Sequence, residues 1–257
     1  MLTKHFVYED TGASLSYKRI ANAKGAIIIC PGGGYKFIST REGQPVADAF
    51  SASDWQVFVL SYSTGENLWT KPLKELAWAV RKVKEHAIEI DIEGKPIIVC
   101  GFSAGGHLVA SLGVHWNDPN MFGLDSMNKP DALILCYPVI TTGRYAHRES
   151  IKALVGERDG SYFSLEKYIS KNTPPTFLWH TMADETVSVQ NTILFAQGLA
   201  NHGIPAEVHL YPYGVHGLSL ATDAVAELEK GRLPDIHVAG WFEQCIQWLD
   251  TINKVKE

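Results

Sequence analysis

Apolar residues fall along this chain in short, dense runs separated by stretches with a helical repeat. Gly25 to Cys30, Gln56 to Tyr62, Lys95 to Cys100, Asp131 to Tyr137 and Thr176 to His180 are the runs. Such runs, rich in β-branched residues and short of polar alternation, predict strands covered on both faces. Leu15 to Ile20 alternates and reads as an exposed early strand, and Ala206 to Tyr211 closes the series. Between them, Pro72 to Ile88 carries Leu73, Leu76, Ala77, Val80 and Val83 at helical spacing. Gln44 to Ser51, Val189 to His202 and Trp241 to Ile252 read as further helices. A hydroxyl at Ser39 or Thr40 is expected to cap the start of the first.

Strands alternating with helices predict an α/β fold, a mostly parallel sheet with helices on both faces. From Thr141 to Asn172 the pattern weakens, and this stretch reads as a small cap insertion of short helices over the top of the sheet. No repeat, low-complexity tract or linker interrupts the chain, so residues 1–257 read as one domain.

The chemistry gathers at Gly101-Phe102-Ser103-Ala104-Gly105-Gly106, between a predicted strand and a segment, His107 to Leu112, that reads as a helix. Strand, Gly-x-Ser-x-Gly, helix is the context of a nucleophile elbow. The serine sits on a sharp, strained turn, with glycines where a Cβ would strike the neighbouring strand or helix. The helix N-terminus then lies beneath the hydroxyl, with free N–H groups facing developing negative charge.

A serine hydroxyl needs a base, held in turn by an acid, and on this topology the chain order is serine, acid, histidine, each after a strand. His216, in the Gly-flanked loop past Tyr211, is the candidate base. His107 is too close in sequence to fold back on Ser103, His180 is expected to shape the acid loop, and His202 and His209 read as surface residues. Asp184, four residues past the Thr176–His180 run, is the candidate acid. Its neighbour Glu185 reads as solvent-facing, and Asp159 and Asp223 lie in weakly patterned segments. For the oxyanion, Ala104 offers one N–H, and Gly33 or Gly34 in Pro31-Gly32-Gly33-Gly34-Tyr35 the other. A phosphate cradle is the rival use of that loop, but neither nucleotide-binding glycine spacing is present.

Composition narrows the field. Charged residues make up 20% and the formal net charge is −5, with Lys and Arg scattered, so nothing marks a nucleic-acid or acidic-membrane partner. The apolar runs are strand-sized, too short to span a membrane. Met1 to Phe6 lacks the pattern of a signal peptide, and the chain reads as cytoplasmic. Cys30, Cys100, Cys136 and Cys245 have no metal-site or redox spacing and read as buried free thiols.

The stretches PGGGY at 31–35, GFSAGGHLVASLG at 101–113, HTMADETV at 180–187 and YPYGVHGLSLA at 211–221 resemble the α/β-hydrolase esterases related to acetyl-xylan esterases and hormone-sensitive-lipase-like enzymes. The likeness spans residues 25–250. It implies an α/β-hydrolase fold and a carboxylic-ester hydrolase, often a deacetylase of decorated sugars. It assigns Ser103 as nucleophile, Asp184 as acid, His216 as base, and Gly33, Gly34 and Ala104 as oxyanion donors. Pro31 stands where lipase-like relatives carry His, which favours the sugar-esterase branch. Ser188 replaces a common proline, and Ser53-Asp54-Trp55 a small Ala-Gly pair.

Tyr35, Tyr62, Trp69, Tyr137, Tyr145 and Trp179 fall near strand ends, where they form either an aromatic rim for sugar rings, with Tyr35 and Tyr137 as substrate contacts, or ordinary core. The expected activity is two-step ester hydrolysis, on small acyl esters as the resemblance implies, with acetylated sugars as candidates, a small-molecule ester as substrate, and neither metal nor organic cofactor. Two alternatives stay open, a serine peptidase of prolyl-oligopeptidase type and a non-catalytic binding protein on the same fold. Oligomeric state, self-association included, is left open.

Overall fold

The computed structural model describes residues 4–123 and 126–254. The signal-peptide reading of Met1 to Phe6 falls in part on residues 1–3, outside the described residues. Eight strands form one sheet: β1 (Lys4–Val7), β2 (Ser14–Tyr17), β3 (Ala26–Cys30), β4 (Gln56–Ser61), β5 (Ile97–Phe102), β6 (Ala132–Cys136), β7 (Thr176–Thr181) and β8 (Ala206–Tyr211). Their order is β1-β2-β4-β3-β5-β6-β7-β8. β1 and β2 join antiparallel, and the six strands from β4 to β8 run parallel. The helices are α1 (Gln44–Ala52), α2 (Lys71–Glu85), α3 (Ala104–His115), α4 (Pro119–Phe122), α5 (Arg148–Val155), α6 (Gln190–Asn201), α7 (Ile236–Ala239) and α8 (Trp241–Lys254). This is the α/β-hydrolase fold expected from the sequence.

The continuous apolar runs are explained by a core on each side of the sheet. Successive strand residues point to opposite faces. Ile28, Val99, Leu133 and Leu178 pack with Leu76 and Val80 of α2, Leu108 and Leu112 of α3 and Phe195 of α6. Ile27, Ile29, Cys100, Ile134 and Trp179 pack with Phe50 of α1 and Trp241, Cys245 and Leu249 of α8 on the other face. The four cysteines are buried and free.

Three details differ from the sequence reading. Ser39 caps nothing with its hydroxyl: a single 3-10 turn, Thr40–Glu42, intervenes, and α1 starts after Gly43 with Pro45 in its first turn. β1, four mostly exposed residues, carries no pattern that marks a strand. Within 141–172, Leu154, Phe163 and Leu165 are buried in the core layer shared with α2 and α3. The start of this segment reaches the ends of the parallel strands, where His147 and Glu149 line a cavity beside Ser103.

Candidate active site

Ser103 follows directly on β5 and is the N-cap of α3, with φ 53° and ψ −117°. This is a rare conformation for a residue with a Cβ, and the surrounding backbone imposes it. Ser103 N–H donates to Cys136 O at 3.0 Å, and Val139 N–H donates to Ser103 O at 3.1 Å, so both sides of the turn are tied to the chain leaving β6. A Cβ on Gly105 would lie 2.0 Å from Cys30 O, and one on Gly101 2.2 Å from Gly105 O. Glycine is required at both positions because main chain passes against main chain there.

The loops after β7 and β8 bring Asp184 and His216 to this turn. Ser103 Oγ lies 2.8 Å from His216 Nε2, and His216 Nδ1 lies 2.6 Å from Asp184 Oδ2. A carboxylate only accepts, so Nδ1 carries the proton and Nε2 is left to accept from the serine hydroxyl. Asp184 Oδ1 accepts from the N–H groups of Thr186 and Val187 at 2.9 and 2.8 Å. Oδ2 also accepts from His180 Nε2 at 3.2 Å, and the same N–H reaches Val187 O at 2.9 Å. His180 Nδ1 therefore accepts from Thr192 Oγ1 at 2.8 Å, so His180 shapes the acid loop, as expected. Burial alone would push the Asp184 carboxyl up. Hydrogen bonds from His180 and His216, the His216 charge and the Val187 N–H outweigh it and hold the carboxyl well below the usual carboxylate range. Glu185 is exposed.

The loop after β3 passes against the serine turn, and Gly33 and Gly34 line the same cavity of about 350 Å³ as Ser103 and His216. Gly33 has φ 126°, and a Cβ there would lie 2.0 Å from Phe37 O. The N–H groups of Gly33, Gly34 and Ala104 have no partner among the described residues. Unpaired donors beside the Ser103 turn are costly unless something is to be bound there.

Tyr35 and Tyr137 lie elsewhere than expected: both rings are buried and neither lines the cavity. Tyr35 OH pairs with His107 Nδ1 at 2.9 Å, and His107 Nε2 with Phe163 O at 3.0 Å. The carbonyl can only accept, so Nε2–H donates to it and Tyr35 O–H donates to Nδ1. Tyr137 packs edge-on against the His216 ring, with centroids 5.1 Å apart. Trp179 and Tyr62 are also core.

Two cavity residues carry no signal in the sequence. Glu42 is 4% exposed, and its Oε2 accepts from Gly32 N–H at 2.8 Å. His147 caps α5 through Nδ1, and burial and the nearby His216 lower its pKa. Beyond them Glu227 accepts from Arg232 and Lys230 and pairs with Arg41 Nε at 3.3 Å, anchoring the segment that follows His216. Among the described residues, no cluster of three or more His, Cys, Asp or Glu is placed to hold a metal ion. No helix among them is long and apolar enough to cross a membrane.

Comparison with known proteins gives a consistent picture. Residues 17–199 match the family model BD-FAE. The chain is 40% identical over 211 residues to the endo-1,4-beta-xylanase B of Butyrivibrio fibrisolvens, covering 78% of this chain and 33% of that protein. It is 29% identical over 207 residues to the acetylxylan esterase of Xylanibacter ruminicola, covering 77% of this chain and 42% of that protein. It thus spans less than half the length of both relatives. Among solved structures it is similar to an acetyl ester-xyloside bifunctional hydrolase from Caldicellulosiruptor lactoaceticus, with 34% identity and a TM-score of 0.82, over 94% of this chain and 88% of that one.

Proposed function

Given that the chain belongs to the BD-FAE family, we propose that it is a serine carboxylic-ester hydrolase that removes small acyl groups, acetyl above all, from acetylated sugars of the xylan type. The observation that supports this reading most directly is the pair of contacts on His216, 2.8 Å to Ser103 Oγ and 2.6 Å to Asp184 Oδ2. The acetylated-sugar substrate rests on the names of the acetylxylan esterase and the acetyl ester-xyloside hydrolase it resembles.

In this reading His216 Nε2 takes the proton of Ser103 Oγ as the oxygen bonds to the ester carbonyl carbon. The carbonyl oxygen becomes an oxyanion, and the free N–H groups of Gly33 or Gly34 and of Ala104 hold it. Those donors are fixed before substrate arrives, so no reorganisation is needed as charge develops. The carbon–oxygen bond to the alcohol then breaks, and His216 delivers its proton to the departing oxygen. Water repeats the sequence on the acyl-Ser103 ester, releasing the acid and restoring the serine. Asp184, ionised and held by four donors, fixes the imidazole tautomer and stabilises its cation.

The test compares hydrolysis of p-nitrophenyl acetate, butyrate and octanoate by the wild type and by Ser103→Ala, beside labelling with a fluorophosphonate. Fastest turnover of acetate, lost in the variant together with the label, is the expected result. A wild type that is inert on every ester and takes no label overturns the reading.

A further inference from the structure

The site cavity continues past His216. It meets a second cavity of about 790 Å³, and Thr186, His216, Lys230 and Arg232 line both. The second cavity lies between the Asp184 loop, the strand-to-His216 loop and residues 230–235. We infer that it receives the alcohol part of the ester, that this part is an uncharged oligosaccharide, and that Tyr213 is the platform on which a sugar ring stacks. The inference rests on Ser103 and His216 acting as nucleophile and base.

Direction comes from the chemistry. The reacting carbon carries an oxyanion, an acyl substituent and a departing oxygen besides the bond to Ser103. The oxyanion faces the free N–H groups of the glycine loop and Ala104. The departing oxygen has to come within hydrogen-bond reach of His216 Nε2, which delivers its proton. The alcohol therefore runs past His216 toward the rim that the two cavities share. The acyl group stays in the smaller cavity.

The lining selects the kind of alcohol. Tyr213 is 77% exposed and lines this cavity. Its aromatic face is open to a ligand, and Val215 beside it is 42% exposed. The charges lining this cavity balance, Glu185 and Asp235 against Lys230 and Arg232. Glu227 already pairs with Lys230 and Arg232. An anionic alcohol would compete with that carboxylate, so the pairing argues against one. A fatty alcohol would cover these charged groups without hydrogen-bonding them, at a desolvation cost. A sugar presents hydroxyls to Glu185, Thr186 and Lys230 and an apolar ring face to Tyr213. The larger cavity also has the size of a site for an extended ligand.

The experiment measures kcat/KM on an acetylated xylo-oligosaccharide and on methyl acetate, whose alcohol is too short to leave His216. Wild type, Tyr213→Ala and Tyr213→Trp are compared. In Tyr213→Ala the ratio of the two kcat/KM values falls about tenfold, through KM on the oligosaccharide, and Tyr213→Trp restores it. Calorimetric titration of Ser103→Ala with unacetylated xylo-oligosaccharide gives heat that Ser103→Ala/Tyr213→Ala loses. An unchanged ratio in an active enzyme overturns the inference and leaves the esterase reading standing. A wild type inert on both substrates overturns the esterase reading, and absence of binding heat then removes the sugar site as well.

Discussion

Tyr137 O–H donates to Glu42 Oε1 at 2.7 Å, and the Tyr137 hydroxyl oxygen in turn accepts from Ser219 N–H at 2.9 Å. With Gly32 N–H on Glu42 Oε2, these bonds run under the site from the glycine loop to the loop carrying His216. Two buried donors converge on one carboxylate, and an amide could accept from only one of them. Glu42→Gln is therefore expected to leave a buried donor unpaired, at about 1–3 kcal/mol. The variant should lose roughly 10–100-fold in kcat with a smaller change in KM, because the loss falls on how the donors and base are held. Steady-state kinetics beside a thermal melt check this, and wild-type kcat in a folded variant would contradict it.

The left-handed backbone at Ser103 makes a stability prediction that separates glycine from alanine. Both Ser103→Ala and Ser103→Gly lose the hydroxyl and should be inactive. Only glycine relieves the strain at φ 53°. Ser103→Gly is expected to be more stable than Ser103→Ala by about 1 kcal/mol, the strain relieved less the extra chain entropy of glycine. Denaturant unfolding of the two variants gives the difference directly.

Asp184→Asn keeps the shape of the acid and removes its charge. The amide can present its NH₂ toward Nδ1 and stabilise the wrong imidazole tautomer, in which Nε2 carries the proton and cannot take one from Ser103. A fall in kcat of about 10⁴ is expected, the size of that effect in serine proteases. Turnover of p-nitrophenyl acetate near the wild-type rate would rule out this role for Asp184.

His107 links stability to pH. It is fully buried, and desolvation lowers its pKa to about 4. The unfolded chain takes up this proton near pH 6.5 and the folded chain only near 4, so unfolding binds protons in that window. Its contribution is fully present above pH 6.5 and is lost as pH falls through about 4. The total is about 3 kcal/mol, of which about 2 kcal/mol is lost by pH 5. His107→Gln can offer its oxygen to Tyr35 O–H and its NH₂ to Phe163 O without titrating. Unfolding free energies at pH 7.5 and 5 should therefore differ by about 2 kcal/mol less in the variant than in the wild type.

The strands β3 to β7 were legible because burial on both faces leaves a continuous apolar run, whereas exposed β1 left none, and the elbow was legible because its glycines interrupt such a run at a strand end. Asp184 and His216 could be found because each follows a strand on the same side of the sheet. Glu42 could not, since one carboxylate in a polar turn looks solvated until Tyr137, 95 residues later, is folded onto it. Tyr35 and Tyr137 misled for a related reason. A tyrosine at a strand end points inward or outward according to whether its hydroxyl finds a buried partner, and His107 and Glu42 supply those partners from elsewhere in the chain. His147 sits in a stretch without periodicity, where only the three-dimensional path brings it to the cavity.

The ties from Ser103 to Cys136 and Val139 carry a lesson for redesign. Ser103, the nucleophile of the proposed reaction, is seated by the parallel strands themselves, whereas the second cavity is walled largely by peripheral loops, residues 213–215 and 230–235. On the proposed reading, changing those loops should alter which alcohol is received while Ser103 stays moored to β5 and β6. The chain is in this sense a chassis with exchangeable fittings, provided that Arg232, whose Nε donates to His216 O at 3.0 Å, is kept when those loops are varied.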